Sequence, residues 1–308
     1  MDYISFDKEN WQGRTDTEDG NLGLRIHQII SPFKQQSQTK VLFGFCTEEG
    51  VKRNKGRLGA KQAPNIIRKS LANLPVHFAH HEICDAGNII VEEDLEEARQ
   101  LQVQKVSEIL AADNLPIVIG GGHETAFGNF LAFISHYPKN SLVLNLDAHF
   151  DIRLPNPIST SGTPFYEMYQ YCKENDIEYN YAVFGIQPLG NTQALFHRAN
   201  LLKVNYVLAD DIHANFNSFI TMLSQVINQY DHIYLSIDMD VFDTAYAPGV
   251  SATTINGLTP YQVKHILQVL KQSNKVKLVD LVEVNPLYDR DSQTAKLAAH
   301  LIYEFLKD

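Results

Sequence analysis

Three short apolar runs each end abruptly in acidic or imidazole side chains, and this pattern restricts the fold more than any other feature of the chain. Leu142-Val143-Leu144 runs into Asp147-Ala148-His149-Phe150-Asp151, and Ile233-Tyr234-Leu235 into Ser236-Ile237-Asp238-Met239-Asp240. Pro116-Ile117-Val118-Ile119 runs into Gly120-Gly121-Gly122-His123-Glu124. An apolar run with a polar end reads as a buried parallel strand whose carboxyl end opens into a site. Ligands of open α/β sheets bind at that end. Residues i and i+2 of an extended chain share a face, so Asp238 and Asp240 converge, and Asp147, His149 and Asp151 can do the same. Two histidines and four aspartates then meet in one cleft. That many carboxylates require counter-charge there, and two divalent cations supply it.

The remaining sequence agrees with a parallel α/β architecture. Strands are expected at Val41–Phe45, Ile83–Asn88, Ile117–Ile119, Leu142–Asn145, Ala182–Phe184, Leu202–Tyr206, Ile233–Ile237 and Val276–Val284. Helical periodicity is clearest from Leu95 to Ala112, Phe216 to Gln229, Pro260 to Ser273 and Thr294 to Leu306. In the third of these, Val263, Ile266, Leu267 and Leu270 follow the i, i+3, i+4, i+7 rule, and Thr259-Pro260 supplies a cap with proline in the first turn. Alternating strands and helices imply a three-layer α/β/α fold around a central parallel sheet of about eight strands. Residues 1–38 are polar and irregular and read as an N-terminal arm packed on a single catalytic domain, 39–308.

Composition excludes several classes of function. A formal charge of −10 argues against nucleic acid, which needs a basic surface. Three scattered cysteines, Cys46, Cys84 and Cys172, indicate no disulfide framework. Neither a signal core nor an apolar stretch long enough to span a bilayer is present, so a soluble, cytoplasmic protein is expected.

A single Asp-X-Asp pair is as readily a turn or helix cap as a ligand pair; three such segments at strand ends point to a metal site. Mixed imidazole and carboxylate donors suit Mn²⁺, Fe²⁺, Co²⁺ or Zn²⁺, and the absence of clustered cysteines argues against structural zinc. The triple glycine lacks the Lys-Ser/Thr ending of a phosphate-binding loop. His80-His81 stands in a polar segment before a strand and reads as surface. Glu283 ends the last strand, where a carboxylate can pair with a cationic amidine or guanidine. Arg153, two residues past Asp151, is either a surface counter-ion or a fork for a substrate carboxylate.

Together these motifs resemble the ureohydrolase family, which includes arginase, agmatinase, guanidinobutyrase, proclavaminate amidinohydrolase and formimidoylglutamase. The resemblance runs from Lys40 to the C-terminus and implies an α/β/α fold with two Mn²⁺ per subunit. It implies one ion held by His123, Asp147, Asp151 and Asp238, and a second held by His149, Asp147, Asp238 and Asp240. Glu283 matches the glutamate that binds the amidine or guanidine group. Further segments are similar to the formimidoylglutamase branch: Trp11-Gln12-Gly13-Arg14, Lys52 to Ala60, Phe150-Asp151-Ile152-Arg153, Gly185-Ile186-Gln187, Ala247 to Ser251 and Thr294 to Ala299.

One departure bears on activity. Ser161 stands where arginases and agmatinases carry a loop histidine thought to shuttle a proton to the leaving amine, so that role has no owner here. The expected reaction is hydrolysis of N-formimidoyl-L-glutamate to L-glutamate and formamide, a step of histidine degradation. The alternative is a guanidino substrate. Asp151 and Glu283 are the expected catalytic residues, with Arg153, Ser161, Asn191 and Glu283 binding substrate. Asn54, Arg57 and Asn191 are the reserve positions for the substrate carboxylate. A homo-oligomer with no nucleic-acid or membrane partner is expected. A rival reading, a metal-dependent binding protein on a retired enzyme scaffold, draws its support only from the missing histidine.

Overall fold

The computed structural model describes residues 2–79, 83–92 and 94–307; His80 and His81 lie outside them. In chain order the strands are β1 (Asp2–Ile4), β2 (Ile30–Pro32), β3 (Lys40–Cys46), β4 (Ile83–Ile90), β5 (Leu115–Gly120), β6 (Ser141–Leu146), β7 (Tyr181–Ile186), β8 (Asn205–Leu208), β9 (His232–Asp238) and β10 (Val276–Val282). They form one sheet in the order β1-β4-β3-β5-β10-β9-β6-β7-β8, with β2 also pairing to β4. Every pairing is parallel except β1 with β4.

All eight expected strands occur, and two more come from the segment read as an irregular arm. Asp2–Ile4 and Ile30–Pro32 are too short to show a period in sequence, and both pair with β4. Trp11, in the same segment, is 3% exposed, and its indole N–H donates to Asp85 at 2.7 Å. Arg68 grips that carboxylate from the other side through Nε and Nη2, at 3.0 and 2.8 Å. β8 starts later than expected because Leu202 closes a helix, its N–H bonding Arg198 O. β10 stops at Val282 because Glu283 takes a left-handed φ of 67°.

The sheet is buried on both faces. Along β6, Leu142, Leu144 and Leu146 enter one apolar cluster and Val143 the other; along β9, Ile233, Leu235 and Ile237 oppose Tyr234. Each such Leu or Ile contributes roughly 1.5–3 kcal/mol relative to exposure. Helices cover both faces, among them Leu95–Ala111, Thr125–His136, Phe216–Asn228, Pro260–Gln272 and Gln293–Leu306. Thr259 and Gln262 close the capping box at the start of Pro260–Gln272. No helix is long and apolar enough to cross a membrane among the described residues.

The register sets up the site. Ile119 pairs with Leu281, Leu281 with Ile237, and Ile237 with Leu146. Four adjacent strands therefore end together, and the residues just beyond that row are His123, Glu283, Asp238 and Asp147.

Candidate metal centre

Asp147 and Asp238 are fixed by the same local device. Asp147 Oδ1 accepts the N–H of His149 at 2.6 Å, and Asp238 Oδ1 accepts the N–H of Asp240 at 2.8 Å. An aspartate that bonds the backbone two residues on makes a tight turn, which swings residue i+2 back over the same cleft. The other oxygen of Asp147 accepts from Asn145 at 2.9 Å. Asp151 and Glu283 both have positive φ, 48° and 67°, conformations that non-glycine residues hold when surrounding structure requires them.

Two groups of donor atoms result. His123, Asp147, Asp151 and Asp238 converge in one, and Asp147, His149 and Asp240 in the other. The first has the membership expected from sequence. In the second Asp238 is absent, since its free oxygen faces His123 while the other bonds the Asp240 amide. Asp147 belongs to both groups.

The donor set fits cations. His123 Nδ1 is fully buried and has no hydrogen-bond partner among the described residues, yet carboxylate oxygens of Asp238, Asp151 and Asp147 lie 3.0, 3.1 and 3.4 Å from it. Lone pairs from four side chains thus point at one place. His149 Nδ1 lies 2.9 Å from Asp240 and 3.6 Å from Asp147. Without a cation, protons must balance these charges. Burial acts against protonating His123, but the facing carboxylates of Asp147, Asp151 and Asp238 outweigh it and raise the imidazole well above its ordinary range. Burial, then repulsion from Asp240 and Asp147, raises Asp238. A divalent pair would remove both distortions.

Glu283 forms the far wall of the same cleft. It is 6% exposed, its N–H donates to Gly121 O at 2.7 Å, and its Oε1 accepts the N–H of His123 at 2.8 Å. Burial and then the adjacent carboxylate of Glu124 push it up to about 8. A cationic ligand would restore its charge.

The cleft, about 170 Å³, is lined by His149, Asp151, Asp238, Asp240 and Glu283 with Asn54, Arg153, Ser161, Asn191 and Ser251. Arg153 lines the cleft, and among the described residues no carboxylate lies within ion-pair distance of it. Its backbone N–H donates to Gly162 O at 2.9 Å, and a Cβ on Gly162 would come 2.9 Å from its Cδ. Ser161 is 7% exposed and its Oγ accepts from Asn54 Nδ2 at 3.3 Å.

Two sequence candidates are otherwise engaged. Asn191 lines the cleft, but both its donors are used, on Ala148 O and Gln187 O at 2.9 Å each, while Oδ1 accepts the N–H of Phe150 at 3.1 Å. It braces the loop that carries His149. Arg57 reaches Ser251 O at 2.8 Å and Val250 O at 2.5 Å and stacks on Tyr288, so it holds the Ser251 wall and does not face the cleft. Sequence reasoning also passed over Glu124, whose place beside Glu283 depends on fold, and Ser251, whose hydroxyl carries no chemical signature. A larger groove of about 320 Å³ beside Pro75 and Leu301 contains neither donor group.

A parallel sheet whose central strands end in two imidazole–carboxylate clusters, with a buried glutamate alongside, defines a binuclear-metal hydrolase. Residues 38–307 match the arginase family, and the chain belongs to it. It is 41% identical over 317 residues to a formimidoylglutamase of Vibrio parahaemolyticus, covering 96% of this chain and 93% of that protein. It is 39% identical to a formimidoylglutamase of Clostridium tetani, covering 99% and 96%. Among solved structures, a Trypanosoma cruzi formiminoglutamase with Mn²⁺ superimposes with a TM-score of 0.83 at 25% identity, covering 92% of this chain and 97% of that one.

Proposed function

We propose that this protein hydrolyses N-formimidoyl-L-glutamate to L-glutamate and formamide with two Mn²⁺ per subunit. The observation that carries the reading is one cleft holding two donor clusters, a carboxylate (Glu283) and a guanidinium that pairs with no carboxylate among the described residues (Arg153). His123, Asp147, Asp151 and Asp238 would hold one ion and His149, Asp147 and Asp240 the other, with Asp238 joining when its carboxylate turns. Ions held there would supply a water of lowered pKa, able to act as a nucleophile at neutral pH.

The chain's own groups do the rest. Glu283 binds the amidinium and turns its carbon toward the clusters. Arg153 forks a substrate carboxylate through two parallel hydrogen bonds. Asp151, facing the cleft, accepts the proton of the attacking water. As the C–N bond to the glutamate nitrogen breaks, that nitrogen takes up a proton and leaves as an amine. Ser161 cannot serve as an imidazole shuttle, so Asp151 is the group placed to return the proton. Residues 39–308 would act as one catalytic unit with 1–38 attached, as a cytoplasmic homo-oligomer whose assembly light scattering would read.

Parallel assays on formimidoylglutamate, arginine, agmatine and guanidinobutyrate test the substrate at saturating Mn²⁺. Fastest turnover of a guanidine substrate would overturn the reading.

A further inference from the structure

His123 has a second nitrogen, and a buried chain of hydrogen bonds runs from it away from the cleft. Nε2 lies 3.0 Å from Ser236 Oγ, and Ser236 Oγ donates to Asp280 Oδ1 at 2.6 Å. The other Asp280 oxygen accepts from Asn129 Nδ2 at 2.7 Å and from the Tyr234 hydroxyl. His123, Ser236, Asp280, Asn129 and Tyr234 are all 0% exposed. Ser236 and Asp280 are directly paired across β9 and β10, so the register delivers this contact.

The proton count gives the chain a direction. A serine hydroxyl has one proton and two lone pairs. Asp280, an acceptor when ionised, takes that proton, so Ser236 can only accept from His123. A neutral imidazole must then carry its one hydrogen on Nε2, which leaves Nδ1 as the atom that offers a lone pair to a cation held with Asp147, Asp151 and Asp238. A serine free to rotate could donate to Nε2 instead and leave the proton on Nδ1, where it blocks a cation. His149 has no counterpart: its ring is 26% exposed, and no side chain among the described residues bonds its Nε2.

Resting on the two-metal reading, we propose that Asp280, acting through Ser236, is a positioning residue that fixes the His123 tautomer and so sets cation affinity in the His123 cluster alone. Groups that orient a metal-binding histidine change affinity by roughly 10- to 100-fold when removed.

The test is Mn²⁺ titration of the metal-free protein, with free Mn²⁺ read by electron paramagnetic resonance. Wild type should take up two ions. Ser236→Ala should weaken one of the two steps by about 10- to 100-fold and leave the other unchanged. No change in either step, or equal loss in both as general loosening would give, overturns the proposal. Should Ser236→Ala not fold, Ser236→Cys, whose thiol is a weaker donor and acceptor, is read by the same criterion. Wild-type protein that binds fewer than two ions would instead defeat the two-metal reading.

Discussion

Glu283 Oε1 accepts the backbone N–H of His123 at 2.8 Å, so the carboxylate on the cleft wall is tied to the chain that carries His123 of the first donor group. The bond orients Glu283 without using its second oxygen, which remains for an amidinium. Glu283→Gln keeps the shape and removes the charge. A hydrogen bond to a charged group is worth roughly 1.5–3 kcal/mol, so kcat/KM should fall on the order of ten- to a hundredfold. Metal content should stay at the wild-type level, since Glu283 belongs to neither donor group. Unchanged kinetics would remove Glu283 from substrate binding.

The donor residues were legible because strand ends and i, i+2 spacing are local properties. Asp147, His149, Asp238 and Asp240 are brought together by turns that each aspartate builds itself. What escaped was non-local. Asp280 in Leu278-Val279-Asp280-Leu281 looks like an interruption of an apolar strand, and only the β9–β10 register reveals its partner Ser236. Asn191 and Arg57 had the right chemistry for a substrate, but sequence could not disclose the backbone carbonyls that occupy them. The edge strands β1 and β2 were invisible because three residues carry no period.

Asn191 should act through the metal loop. Replacing it with leucine leaves the Phe150 amide without its acceptor, at about 1–3 kcal/mol for a group left buried without a partner. It also takes one of two donors from each of Ala148 O and Gln187 O, which keep the N–H groups of Gln187 and Gly190. The loop bearing His149 should loosen, and the His149 cluster should bind Mn²⁺ more weakly. Metal analysis at limiting Mn²⁺ checks this; full occupancy with only KM raised would make Asn191 a substrate contact after all.

Metal-free and metal-loaded protein should respond to pH with opposite signs. In the metal-free state Glu283 sits at about 8 instead of 4.5, through burial and then Glu124. Burial first and neighbouring carboxylates next raise Asp151 and Asp238 as well. A group raised on folding contributes stability below its unfolded value and loses it as pH climbs through the folded value. Asp147 has the opposite sign: burial works upward, but His123 and His149 outweigh it and hold it low, so its contribution is complete above the ordinary aspartate range. The metal-free melting temperature should therefore fall from roughly pH 5 to roughly pH 8. With Mn²⁺ present it should rise over the same window, because deprotonated donors bind the ion and bound ion stabilises the fold. Parallel curves with and without Mn²⁺ would argue against a metal at these side chains.

Arg153 separates substrate positioning from chemistry. Its guanidinium lines the cleft, pairs with no carboxylate among the described residues, and rests against Gly162. Lysine keeps the charge and loses the fork, and the planar fork matches a carboxylate. At roughly 1.5–3 kcal/mol for the charged hydrogen bond, Arg153→Lys should lose on the order of ten- to a hundredfold in kcat/KM. Most of the loss should appear in KM if the contact is equally strong in ground and transition states. Gly162→Ala should act in the same direction, because the new Cβ would meet Arg153 Cδ at 2.9 Å and push the side chain aside. Neither change touches a donor atom, so both variants should hold wild-type Mn²⁺. Both should also discriminate less between the dicarboxylate substrate and neutral amidines. Full activity and selectivity in Arg153→Lys would move the carboxylate site elsewhere on the wall, with Asn54 the next polar group facing the cleft.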